Sequence, residues 1–208
     1  MVFFDRHILR VGRCGYRVLR RTAFALSLSG DQGAVVFAGD SLIEQWTTLA
    51  DDFPGLKTVN RGIGGDTSRE LFLRLSKDVL ACRPRAVVIL IGTNDLAADV
   101  PPRRVAALIR RIADRIERFG GGVPVVLCRI LPRTKAPGPF PEKIRELNGL
   151  IDELANERKN VLVCDTFTPL ANADGSCRDN LFVDGLHLNA AGYDALAKTL
   201  SPVLLQLD

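Results

Sequence analysis

Short runs dominated by apolar and β-branched residues alternate along the chain with longer segments in which apolar residues return every three or four positions. The short runs cover 34–38, 56–60, 86–91, 124–129 and 161–164, and their composition predicts parallel strands buried on both faces. The longer segments predict helices over 42–50, 68–80, 102–119, 141–158 and 190–205. The third helix has the clearest stripe, with Val105, Leu108, Ile109, Ile112 and Ile116 on one side. Pro101 and Pro102 suit its start, and Gly120, Gly121 and Gly122 suit its end. Five such β-α units predict an α/β protein with an open, doubly wound sheet. Sheets of that kind hold ligands in a crevice beyond the carboxyl ends of their strands.

No repeat or low-complexity tract interrupts this pattern, and 208 residues with 47% hydrophobic content are consistent with one continuous core. The expected division is a basic helical segment over 1–33, packed on a catalytic-type domain over 34–208. The loop over 132–141, rich in proline, is the longest expected connection. Within the first 21 residues lie Arg6, Arg10, Arg13, Arg17, Arg20 and Arg21, together with His7. Removing those six arginines and Asp5 leaves 22 basic against 23 acidic residues, so charge gives no reason to expect nucleic acid. Phe3, Ile8, Val11, Val18, Leu19 and Phe24 suggest a helix or two there, with the arginines on the wet side. A basic start before the apolar run 22–28 also has the outline of an export signal, although no small-x-small cleavage pattern follows. No uninterrupted apolar stretch is long enough for stable membrane insertion. Cys14, Cys82, Cys128, Cys164 and Cys177 are odd in number and scattered, which suits free thiols in a reducing cytoplasm better than a disulfide framework. Export remains the alternative if the basic start is a signal.

Four polar clusters fall where such a crevice would be. Gly39-Asp40-Ser41-Leu42 follows the first strand, and Ser41 there is either a plain helix cap or a nucleophile near free backbone amides. Asn60-Arg61-Gly62-Ile63-Gly64-Gly65-Asp66 follows the second strand and is either a flexible turn or a loop that aims an amide into a pocket. It lacks both the Gly-Lys-Ser/Thr of a phosphate loop and the spacing of a dinucleotide fingerprint. Gly92-Thr93-Asn94-Asp95 follows the third strand, and the Asn94 amide can cap a helix or donate to an oxyanion without adding charge. Asp184-Gly185-Leu186-His187 precedes the last helix, with Asp184 close enough in sequence to orient the His187 ring. Each of the four clusters is expected to lie just after a strand, on the same edge of the sheet. Asp40 and Asp95 are expected to brace loops, and Trp46 to pack in the core. Arg61, Arg129 and Arg133 are candidates for attracting an anionic or polar head group.

With these residues in this order, the chain resembles the GDSL/SGNH hydrolase family, and the likeness spans Val35 to Tyr193. The wording of 60–67 and 184–193 is most similar to the branch of the platelet-activating-factor acetylhydrolase catalytic subunits. The resemblance implies a flavodoxin-like, three-layer α/β/α sandwich with a five-stranded parallel sheet. It also implies a lipolytic-type serine esterase that uses no metal or other cofactor and acts on a small or lipid-like ester. On the matching positions, Ser41, His187 and Asp184 would be the catalytic set. Ser41, Gly65 and Asn94 would form the oxyanion hole. A homodimer is worth testing on the same ground. An acyltransferase or thioesterase on the same scaffold, or a binding module without turnover, are the rival expectations. The string around Ser41 lacks the second glycine of G-x-S-x-G, which disfavours the nucleophile-elbow fold.

Overall fold

The computed structural model describes residues 2–135 and 141–207, with side chains from residue 15 onward. The side chains of His7 and Cys14, and residues 136–140 of the expected proline-rich loop, lie outside that description. Five strands, β1 (Val35–Gly39), β2 (Thr58–Gly62), β3 (Ala86–Leu90), β4 (Val125–Cys128) and β5 (Val161–Cys164), form one sheet in the order β2-β1-β3-β4-β5. Every pairing is parallel. This is the flavodoxin-like order, and its switch point lies between β1 and β3.

Alternate residues of each strand enter one of two cores. Val36, Ala38, Val87, Ile89, Val125 and Leu127 pack under α4 (Ser68–Asp78), α6 (Pro102–Phe119) and α7 (Pro141–Asn156). Val35, Phe37, Val88, Leu90, Val126 and Cys128 pack on the other face with Leu42, Trp46, Phe53 and α8 (Ala190–Leu204). The expected stripe of α6 is buried at Val105, Ile109, Ile112 and Ile116. A period of two in the strands and about 3.6 in the helices accounts for three layers from a single chain.

Several expectations need correction. The helix predicted over 42–50 is two short ones, α2 (Ser41–Glu44) and α3 (Leu49–Asp52). Between them the Asn60 amide donates to the carbonyls of Ile43 at 2.5 Å and Trp46 at 3.3 Å, satisfying acceptors that a continuing helix would use. Trp46 is buried against Phe37, Phe53 and Tyr193. β2 starts two residues later than predicted because Leu56 is held in a turn by Phe53 O. A five-residue helix, α5 (Thr93–Ala97), follows β3 where only a loop was expected.

The N-terminal segment is one helix, α1 (Val2–Ser27), and its described part is turned the other way from expectation. Arg17, Arg20 and Arg21 face the domain and pair with Asp66, Glu70, Glu44 and Asp78. Val18, Leu19 and Leu26 are exposed, and Phe24 is the one large apolar side chain buried from the described part of the helix. A carboxylate-lined surface selects guanidinium groups for the inner face, which periodicity alone does not reveal. Among the described residues, no helix is long and apolar enough to cross a membrane.

The end of β2 passes so close to α2 that a β-carbon on Gly62 would sit 2.2 Å from the Glu44 amide nitrogen. Gly62→Ala is therefore expected to cost about 2 kcal/mol, since the atoms it would meet, in Glu44 and Ile43, are backbone and cannot rotate away. A chemical denaturation midpoint equal to that of the unsubstituted chain would contradict this.

Candidate active site

The site forms at the carboxyl ends of β1, β2 and β3. Register pairs Gly39 with Gly62 on one side and with Leu90 on the other, so the three following loops start side by side. Ser41 is the first residue of α2, and Asp40 caps that helix by accepting the Leu42 amide at 2.9 Å. The sharp turn needs Gly39, whose absent β-carbon would lie 2.2 Å from Leu90 O.

His187 arrives from the far end of the chain. Its Nε2 is 3.0 Å from Ser41 Oγ, and its Nδ1 is 3.0 Å from Asp184 Oδ2. A proton on Nδ1, donated to Asp184, leaves Nε2 free to accept the serine hydroxyl. The loop that carries the pair is tightly wound. Asp184 Oδ1 accepts the amides of Leu186 and His187, and the Val183 amide donates to His187 O at 2.8 Å. Tyr193 on α8 donates to Leu42 O at 2.9 Å, which ties the histidine's helix to the serine's. The expectation that this cluster lies just after a strand needs correction, since two 3-10 turns intervene between β5 and Asp184.

The glycine-rich loop and α5 complete the site. Gly65 takes a φ of +75°, a conformation that favours glycine. Gly62 and Gly64 are required by close packing within the protein. They let the loop pass against α2, where the Gly64 amide donates to Glu44 Oε2 at 2.8 Å. Asn94 lies in the first turn of α5 and donates one amide hydrogen to Asp66 O at 2.9 Å. Its primary amide carries a second hydrogen. Asp95 braces α5 by accepting from the amide and hydroxyl of Ser68 at 2.8 and 2.7 Å.

The three candidate arginines each have partners within the protein, and Arg133 Nε donates to Lys135 O at 3.1 Å. Arg61 is buried, paired with Asp31 at 2.5 Å and set over the Phe24 ring, so it does not face a ligand. Arg129 is engaged by Asp152 and Asp165. Sequence reasoning missed Lys135, which pairs with Asp184 Oδ2, the same oxygen that receives His187. Burial opposes the Asp184 charge, but the His187 amide, Lys135 and the His187 ring together hold its carboxyl well below the usual range. Nothing in the local pattern around Lys135 signals this, because it is the folding of the loop against the Asp184 turn that brings the two together, with the Thr134 and Lys135 amides donating to Gly185 O. Among the described residues, no group of three or more His, Cys, Asp and Glu is arranged to hold a metal ion.

Such a sheet, with a serine, an imidazole and a carboxylate joined in sequence at its switch point, defines the class of three-layer α/β acyl hydrolases. The comparisons agree. Residues 29–195 match the GDSL-like Lipase/Acylhydrolase family, and the chain belongs to it, as a hydrolase of ester bonds. The human platelet-activating factor acetylhydrolase IB subunit alpha2 is 30% identical over 190 residues, which cover 88% of this chain and 81% of that protein. A structure from Streptococcus pneumonia, provisionally described as a platelet activating factor, has a TM-score of 0.89 at 26% identity and covers 98% of this chain and 100% of its own. A GDSL-like lipase from Bacteroides thetaiotaomicron has a TM-score of 0.79 at 25% identity and covers 89% and 97%.

Asp40 gives a test of this electrostatic setting. Its Oδ2 is buried and has no hydrogen-bond partner among the described residues. Burial pushes the carboxyl up to about 7, with Asp66 and Asp95 adding to the rise and the Leu42 amide opposing it. The stability tied to its neutral form is present in full below the ordinary value of 3.8 and is lost as pH climbs through about 7. Asp40→Asn should escape that loss, gaining on the unsubstituted chain by up to about 1.4 kcal/mol per pH unit across this window. Denaturation midpoints measured from pH 4 to 8 would show it, and parallel curves would count against it.

Proposed function

We propose that this chain is a serine esterase that works through an acyl-enzyme on Ser41. The observation that carries the reading is the unbroken connection from Ser41 Oγ to His187 Nε2 and from His187 Nδ1 to Asp184, at 3.0 Å each. His187 takes the hydroxyl proton as Oγ attacks the ester carbonyl carbon. The carbonyl electron pair moves to oxygen, and the oxyanion accepts hydrogen bonds from the amides of Ser41 and Gly65 and from the Asn94 side chain. As the tetrahedral intermediate collapses, the C–O bond to the alcohol breaks and His187 protonates the leaving oxygen. Water, deprotonated by the same imidazole, then attacks the acyl carbon and releases the acid and Ser41. Asp184 supports the imidazolium while it exists. The human relative is named an acetylhydrolase, so an acetyl ester is the first substrate to test, followed by longer, lipid-like acyl chains.

Ser41→Ala should lower kcat on an acetyl ester by on the order of 10⁴-fold or more and abolish labelling by a fluorophosphonate, with an unchanged melting temperature. A folded variant that turns over at the original rate would refute the nucleophile. The base must be neutral to act, so activity should rise with pH along an acid limb. Lys135 places a positive charge beside Asp184, and removing it favours the imidazolium. Lys135→Met is therefore expected to move the acid limb of the pH–rate profile to higher pH. Superimposable pH–rate profiles would show that Lys135 does not act on the pair.

A further inference from the structure

Helix α1 lies outside the segment that matches the family, yet its inner face holds the loop from Asn60 to Asp66 at several points. Tyr16 donates to Glu44 Oε1, and Arg20 Nε lies 3.4 Å from the same oxygen. The other oxygen of Glu44 accepts the Gly64 amide, next to Gly65. Arg20 also donates to Gly62 O and Asn60 Oδ1, both at 3.2 Å. Arg17 forks between Asp66 Oδ1 and Glu70 Oε1, and Asp66 O in turn accepts the Asn94 side chain. Each of the three groups assigned to the oxyanion is thus close in the bonding network to α1. Ser41 shares a four-residue helix with Glu44, Gly65 sits between Gly64 and Asp66, and Asn94 hangs from Asp66.

We propose that α1 is a clamp that sets the spacing of the oxyanion donors, with Arg17 as its main positioning residue. This rests on the serine-esterase reading above. In the described part of the helix only Phe24 among the large apolar side chains is buried, while Val18, Leu19 and Leu26 face outward, so the docking of that part depends on the charged contacts. A guanidinium bonded through two nitrogens to two carboxylates fixes orientation as well as distance. Asp66 is fully buried, and its second oxygen is already taken by Arg74 at 2.6 Å. Loss of Arg17 would leave the Asp66 carboxylate short of one partner and let the loop shift. Oxyanion donors act only within hydrogen-bond reach of the position where negative charge develops, so small displacements reduce kcat more than substrate binding.

The test uses the full chain carrying Arg17→Ala, Arg17→Lys or Tyr16→Phe, assayed with an acetyl ester below each melting temperature. The second probe is an arylboronic acid, whose tetrahedral adduct on serine mimics the oxyanion; acetate, the product, serves as a ground-state probe. Arg17→Ala is expected to lose about 10- to 100-fold in kcat with little change in KM, and to bind the boronic acid correspondingly more weakly. Acetate inhibition should stay the same, Arg17→Lys should recover part of the loss, and Tyr16→Phe should show a smaller loss of the same kind. A folded Arg17→Ala with unchanged kcat and boronic acid affinity would overturn the clamp, as would a fall in kcat without weaker boronic acid binding. If Arg17→Ala does not fold, Tyr16→Phe and Arg17→Lys decide by the same criteria. Fluorophosphonate labelling of Ser41 in the unsubstituted chain separates the two readings. A labelled, active chain with insensitive variants defeats the clamp alone, whereas a chain inert to label and ester defeats the esterase reading and the clamp with it.

Discussion

The carboxylate of Asp66 is the point on which the site's scaffolding converges. It is fully buried, and one of its oxygens meets Arg74 while the other meets Arg17. A buried carboxylate without its partners costs several kcal/mol, so the arrangement is strongly constrained once the chain has folded. Arg74 also donates to Gly39 O at 3.1 Å and Arg61 O at 2.8 Å, joining the ends of β1 and β2. The backbone oxygen of Asp66 holds Asn94. One ion pair therefore links the loops after three adjacent strands, which are the loops that carry Ser41, Gly65 and Asn94.

The other half of the site depends on weaker and more exposed interactions. His187 and Asp184 sit at the rim, with side chains only partly covered, and their loop is shaped by its own amides. Its link to the serine is the Tyr193 hydroxyl on Leu42 O, backed by Trp46 against the Tyr193 ring. A rigid set of donors facing a more accessible imidazole fits the proposed acyl transfer to water, in which an oxyanion would need preorganised donors while the imidazole would exchange protons with an alcohol and with water.

Three buried carboxylates near the serine are treated differently by their surroundings. Asp66 is doubly paired with arginine, Asp95 accepts two bonds from Ser68, and Asp40 keeps one oxygen without a hydrogen-bond partner among the described residues. Two arginines thus converge on Asp66, whereas burial favours the neutral form of Asp40 beside Ser41.

Much of this was legible in the chain itself. Strand and helix periods, the proline and glycine stops around α6 and the placement of Gly-Asp-Ser-Leu, the glycine loop and Gly-x-Asn-Asp after successive strands are local patterns. They specified a doubly wound sheet and the residues gathered at its edge, because side-chain period and turn chemistry act over a few residues. The inward arginines of α1, the break between α2 and α3, the burial of Arg61 and the pairing of Lys135 with Asp184 were decided only by the tertiary structure. Each depends on a partner more than a dozen residues away: Asp66 for Arg17, Asn60 for the helix break, Asp31 for Arg61 and Asp184 for Lys135. A charged or amide side chain takes whichever complementary group the fold brings near it, and that proximity is a property of packing, which no local pattern encodes.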